Sequence, residues 1–474
     1  MIKRILSKIK KQNLFPYLFL LTANIAVLYF FRESLITSFF QDDWYSLTIS
    51  KVARYSDLVN FFRPDKQVVY YRPLGMQLPF FINTLLFNIN PLPFRILTFI
   101  THGINSFLVF LLFKRLLKSY FSSLMAAFLY VTSGINYIPF FWSSTFAFIL
   151  GMTFSLLTII YFLDFLDKQQ LIKFYLSLVF FFLGLLTFEV ITVLPVILAV
   201  YVCLFKFRQK FSFLFPFFFI SFFYLAFRFI FFPPPDIPDY HVSLGRQTLQ
   251  NFKYYFLWSF NWPEEIKNQF IKFWQVNPKF IREFRNFYDA FRLSLVVNLF
   301  LLFVLPVILA VFKKIKINFP VNIFAIIWFV SGLLPVIFFP RHTFPYYLPL
   351  SFIGLLLFFL PLLQQSVIYL SRKFNLIQFI IQLVLMINWL WSVSMLTEFN
   401  SLIHWAPRRG RLSAKLIKTA KYRVTFPYQS FVFLANPDSE TRLSLNDQDA
   451  LRIIFQRDDL KTIYTSKNFV GYRL

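Results

Sequence analysis

The stretch LFPYLFLLTANIAVLYFFRESLITSFFQDDWYSL, residues 14–47, runs from an apolar segment straight into two adjacent aspartates. Its first part, residues 14–31, approaches the roughly 20 residues needed to cross a hydrocarbon core as a helix. Its second part sets Asp42 and Asp43 among aromatic and aliphatic neighbours, in a chain of 474 residues of which only 15% are charged. The side of the membrane on which those carboxylates lie decides what they can do.

Comparable apolar runs recur at 94–113, 120–138, 143–163, 174–188, 190–205, 212–230, 291–312, 321–339, 347–363 and 376–395, the pair at 174–205 reading as one short hairpin. The chain is 58% hydrophobic and 22% aromatic, with 73 Phe and a mean hydropathy of +0.61. That composition excludes a soluble globular domain. It predicts an all-α polytopic membrane protein of about eleven transmembrane helices.

Lys and Arg in short connections resist translocation, so they mark the cytoplasmic side. MIKRILSKIKK at the start, KRLLK at 114–118, KFRQK at 206–210, KKIK at 313–316 and SRK at 371–373 all fall on one side of an odd number of spans. The reading is a multi-pass cell-membrane protein with a cytoplasmic N-terminus and an uncleaved first span, since no small-residue cleavage pattern follows LYFFRESL. The formal net charge of +27 is scattered over these loops. Topogenic signals and contact with anionic membrane lipids account for it, and a nucleic-acid partner is not expected. Cys203 is the only cysteine, which rules out an intramolecular disulfide.

Three long segments then leave the membrane on the outer side: 32–93, 231–290 and 396–474. Residues 1–395 form the transmembrane domain. The tail, 396–474, begins with the basic, helix-periodic APRRGRLSAKLIKTAKYR and continues through strand-like SFVFLAN and LKTIYT around helix-like DQDALRIIF, which predicts a small α/β extracytoplasmic C-terminal domain. The stretch RPLGMQLPFFINTLLFNINPLP in the first loop reads as an interfacial helix. No internal repeat of fixed period is present.

Asp42 and Asp43 therefore face outward, near the height of a lipid phosphate. Two neighbouring carboxylates repel, so one can exchange protons near neutral pH. The pair can equally hold a divalent cation, Mg or Mn, through hard oxygen ligands, or cap the helix that begins at WYSLTISKVARY.

FFQDDWYSL followed by VVYYRPLGMQLPFFINTLLFNINPLPFRILTFITHGIN, with FLGLLTFEVITVLP at the hairpin and RHTFPYYLPLSFIGL late in the chain, resembles the polytopic glycosyltransferases of the C superfamily, in particular the protein O-mannosyltransferases and the bacterial aminoarabinose transferase. The resemblance implies transfer of a sugar from a polyprenyl-phosphate donor to a glycan, lipid or protein acceptor hydroxyl at the outer face. It implies Asp42 as base and Asp43 in a supporting or metal-binding role. Arg72 in YYRP is the first candidate for the donor phosphate, with Arg63 and Lys66 behind it, and Tyr71 beside it is expected to line the active-site cavity; Arg228, Arg341 and His342 are further phosphate candidates. Glu189, at the turn of the short hairpin, is expected to be water-exposed or aimed at a cavity. His102 is either part of the cavity or a helix–helix hydrogen bond. SGINYIPFFWSSTF lacks the charges that such enzymes often carry after the third span.

Two other classes compete. An oligosaccharide polymerase or ligase of cell-surface glycan assembly would carry its chemistry on arginines and histidines of a late loop. A transporter would place charges at mid-membrane in discontinuous helices and show inverted repeats.

Overall fold

The computed structural model describes residues 14–65, 68–205, 208–233, 235–372, 375–423, 431–434, 439–464 and 472–473. The fold is that of an all-α membrane protein. Among the described residues, seven helices are long and apolar enough to cross a membrane: Pro91–Leu117, Tyr120–Phe141, Ser143–Lys168, Gln209–Phe231, Arg285–Val311, Pro349–Ser371 and Leu376–Ile403. Shorter apolar helices lie at Phe15–Phe30, Pro73–Phe87, Leu171–Leu185, Glu189–Leu204 and Phe319–Leu333.

Helices dominate because hydrocarbon offers no partner to a backbone N–H or C=O, and only a helix pairs its own. Their starts are written locally. Proline occupies the first turn of many of them, where its missing N–H costs nothing; at Pro91 the Asn90 side chain also caps the helix, accepting from the Leu92 N–H at 3.0 Å. Helix Phe146–Lys168 packs against Leu171–Leu185 and against Pro91–Leu117, and Phe319–Leu333 packs against Pro349–Ser371. Their facing sides form one continuous aromatic and aliphatic core, while other helix faces are apolar and exposed, as at Phe215, Phe222 and Phe229 of helix Phe215–Phe231. An outward apolar face suits contact with lipid tails.

In the first loop the chain makes a wide turn at Pro73–Gln77 and enters helix Leu78–Phe87, whose Leu85, Leu86 and Phe87 side chains are exposed. The last apolar helix runs on to Ile403, past the expected domain boundary at 395, and helix Trp405–Arg423 follows it. Ile417 of the latter, together with Leu445, Ala450 and Ile453 from the short helices Ser439–Leu445 and Asp449–Phe455, shares a second core with Phe39, Trp44 and Phe80 of the first loop. Further on, strand Phe431–Leu434 lies between Lys461–Tyr464 and Tyr472–Arg473 and is parallel to both.

Candidate functional site

Two aspartates adjacent in sequence have opposite surroundings. They open helix Asp42–Ile49, where negative charge is favoured by the helix dipole. Asp43 is fully buried. Its Oδ1 accepts from the Ser144 backbone N–H at 2.7 Å and the Ser144 hydroxyl at 3.0 Å, and its Oδ2 accepts from the Phe40 N–H at 3.3 Å. The Arg95 guanidinium stands 3.7 Å from the same Oδ2. Asp43 is thus a tie between the loop and the segment after Trp142. Burial pushes its carboxyl up to about 7, against Arg95 and the Ser144 and Phe40 donors, which favour the ionised form.

Asp42 lies on the wall of a cavity and, among the described residues, no side chain or backbone group hydrogen-bonds its carboxyl. Crowding by the surrounding protein pushes it up to about 6, while Arg72 and Arg409 pull the other way. A partly desolvated carboxylate without a partner, titrating near neutral pH, is the kind of group that can take a proton from a substrate. Gln41, immediately before it, has φ of 52° and ψ of −131°, a conformation that costs a residue with a Cβ on the order of 1–3 kcal/mol.

The same cavity is lined by Tyr70, Arg72, Trp142, Ser144, Thr145, Phe148, Glu189, Tyr240, His342, Tyr346 and Tyr347. Arg72 reaches Glu189 through two hydrogen bonds, Nε to Oε2 at 2.8 Å and Nη2 to Oε1 at 2.5 Å. Its guanidinium also sits over the rings of Tyr70, Phe188 and Phe148 at 4.8, 5.1 and 5.4 Å. Gly75 makes this approach possible. A Cβ there would fall 2.4 Å from the Thr187 carbonyl oxygen, and the close contact lets the Leu74 N–H donate to the Leu186 carbonyl at 3.1 Å. The turn after Arg72 is thereby fastened to the hairpin that carries Glu189.

The remaining expected residues divide cleanly. His342 lines the cavity, with its ring 4.7 Å from that of Tyr240; burial lowers it to about 4, so at neutral pH the ring brings hydrogen-bonding nitrogens rather than a charge. Tyr71 lies behind the wall, its hydroxyl donating to the Phe62 carbonyl at 3.2 Å and its ring against Phe227. Arg228 acts on Glu189 electrostatically and keeps one buried Nη1 without a partner among the described residues. Arg63 is exposed and hydrogen-bonds Asn60, and Arg341 is exposed; neither lines the cavity. His102 is buried away from it, where its Nε2 meets the Val131 carbonyl at 2.9 Å, the helix–helix contact that was its other reading. Lys66 lies outside the described residues.

Sequence reasoning passed over Tyr70, Tyr240, Trp142 and Ser144. The Tyr70 and Tyr240 hydroxyls are hydrogen-bonded to each other across 170 residues of chain. Tyrosines are so common here, 24 in all, that only the doubled YY at 70–71 and 346–347 hinted at a role.

Asp43 spends both oxygens on Ser144, Phe40 and Arg95, and no group of three or more His, Cys, Asp or Glu that could hold a metal ion occurs among the described residues. Two larger clefts open elsewhere. The convergence of Asp42, Arg72, Glu189 and His342, rather than volume, singles out the smaller one. No family model matches this chain, and no curated protein is significantly similar to it.

Proposed function

We propose that this protein is an integral membrane glycosyltransferase of the C-superfamily type, moving a sugar from a polyprenyl-phosphate donor to an acceptor hydroxyl of a glycan, lipid or protein at the outer face of the cell membrane. The observation that carries the reading is the Asp42 carboxylate, without a hydrogen-bond partner among the described residues, in one cavity with the Arg72 guanidinium. In this reading eleven helices cross the membrane, and the segments 32–93, 231–290 and 396–474 lie outside, the last as a small extracytoplasmic domain.

The reaction balances on these groups. The acceptor oxygen forms a bond to the anomeric carbon as the bond from that carbon to the phosphate oxygen breaks; the electron pair leaves with the lipid phosphate. Asp42 takes the acceptor proton, a contribution of typically 10² to 10⁴ in rate. The departing phosphate needs positive charge in a site of low dielectric, which Arg72 supplies with Arg228 nearby, while the His342 ring donates as a neutral group. Phosphate oxygens would share the Arg72 fork with Glu189. Trp142, Phe148, Tyr346 and Tyr347 give the apolar faces on which a sugar ring stacks.

The test uses purified full-length protein with a polyprenyl-phosphate monosaccharide and, separately, the matching nucleotide sugar. Transfer is expected from the first only and is lost in Asp42→Asn. Transfer from the nucleotide sugar alone, or unchanged turnover in Asp42→Asn, would overturn the reading.

A further inference from the structure

The residue before Asp42 is held by the far end of the chain. Gln41 occupies a positive-φ conformation with no glycine to ease it. Its side-chain Oε1 accepts from Arg409 Nη1 at 2.6 Å, and its backbone N–H donates to the Ser444 carbonyl at 3.3 Å. Arg409 is itself fixed: Nε and Nη2 donate to Glu440 at 3.2 and 2.8 Å, and its guanidinium lies over the Trp405 ring at 4.9 Å. All three nitrogens of one planar fork are engaged, the arrangement for which arginine is suited and lysine is not.

The helix bearing Arg409 is seated on the loop at two further points. A Cβ at Gly410 would fall 2.4 Å from Thr37 Cγ2, so any larger residue would push the helix or Thr37 aside. Three residues on, the Ser413 hydroxyl donates to the Phe39 carbonyl at 2.7 Å and accepts from the Trp44 indole at 3.3 Å. The tail therefore grips residues 37, 39, 41 and 44, on both sides of Asp42.

We infer that the tail helix Trp405–Arg423 is a positioning element for Asp42, with Arg409 holding Gln41 in the strained backbone from which the Asp42 carboxylate is presented to the cavity. Arg409 is a positioning residue and touches no substrate. It also brings one of the two positive charges that bear on Asp42; the other groups facing that carboxylate are Arg72, Asp449 from the helix after Gln448, and the hydroxyls of Tyr45, Tyr70 and Tyr240. The tail, far from the loop in sequence, thus sets both the geometry and the protonation of the proposed base. The inference rests on the transferase reading for its effect on turnover, though not for its effect on Asp42 itself.

The experiment measures Asp42 in two ways on the full-length protein. Water-soluble carbodiimide with an amine nucleophile modifies carboxyl groups in their protonated form, and peptide mass spectrometry follows Asp42 as a function of pH. In Arg409→Gln the midpoint should rise by about half to one pH unit, the acid limb of transfer should move with it, and turnover should fall about tenfold. Arg409→Lys should keep the midpoint and still lose turnover. Gln41→Gly in the Arg409→Gln background accepts the positive φ without support, so it should restore turnover while the midpoint stays raised. An unchanged midpoint in Arg409→Gln, or no recovery of turnover on adding Gln41→Gly, would overturn the inference. A shifted midpoint in a protein whose unmodified form transfers no sugar would instead sink the transferase reading and leave the positioning contact standing.

Discussion

The Arg72 guanidinium and the Glu189 carboxylate, 117 residues apart in sequence, meet through two parallel hydrogen bonds inside a ring of aromatic side chains. Arg72 has only 7% of its side chain exposed and Glu189 29%. A pair this enclosed costs more to break than to lack, because removing one member strands the other's charge.

Arg72→Ala should therefore lower stability by about 3 kcal/mol, seen as a lower unfolding midpoint by tryptophan fluorescence in detergent. Arg72→Lys should recover only part of that, since an ammonium cannot make two parallel bonds or lie flat over Tyr70. Arg72→Ala should also raise the concentration of polyprenyl-phosphate sugar needed for half-maximal transfer more than that of acceptor. Equal stability of Arg72→Lys and the unmodified protein would show that the fork geometry is idle.

The acid limb of the rate belongs to Asp42. A base works ionised, and burial holds this carboxyl up to about 6, so transfer should fall tenfold per pH unit below that point and level off above it. Asp42→Asn, which keeps the shape and cannot take the proton, should abolish transfer while leaving the unfolding midpoint near that of the unmodified protein. A flat rate between pH 4.5 and pH 7 would move the proton acceptor elsewhere.

Much of this site was legible along the chain, and the rest depended on contacts between distant segments. Asp42, Asp43, Arg72 and Glu189 stand out because a charged residue beside apolar runs is costly and has to be placed. Their division of labour does not: which aspartate is tied down depends on Ser144, 101 residues away, and serine and tyrosine are too ordinary in such a chain to signal a partner. Helix Trp405–Arg423 was readable from its period. Its docking face was also written there, as the small residues Ala406, Gly410, Ser413 and Ala420, all buried at helical spacing, but nothing local says which loop such a face receives. Arg95, near the start of an apolar helix, was not singled out along the chain, and only the fold sets it beside Asp43.

The proposed sidedness has its own test. With Cys203 replaced by serine, single cysteines at Ser56 and Ser439 should react with an impermeant thiol reagent in intact cells, and one at Ser7 should react only after permeabilisation. Both test positions beyond the first span are outside the apolar helices. Labelling at position 7 in intact cells would reverse the topology and put the cavity on the cytoplasmic side.

Asp43 and Arg95 give the last prediction, which concerns stability against pH. Both side chains have no exposed surface, and the Asp43 carboxyl moves from an ordinary 3.8 up to about 7 in the folded protein. A raised folded value means that the folded form holds a proton that the unfolded form has released between those two pH values. The group's stabilising contribution is then complete below about pH 4 and is lost as pH rises towards 7, with a slope of up to about 1.4 kcal/mol per pH unit. Asp43→Asn cannot titrate, so the difference in unfolding free energy between it and the unmodified protein should shrink steadily from pH 4 to pH 7. At every pH Asp43→Asn leaves Arg95 without its counter-charge, and Asp43→Asn with Arg95→Met should be more stable than Asp43→Asn alone, because the second change removes the stranded guanidinium. If the difference between Asp43→Asn and the unmodified protein is constant across that range, Asp43 is ionised throughout, and Arg95 with Ser144 outweighs the cost of burying its charge.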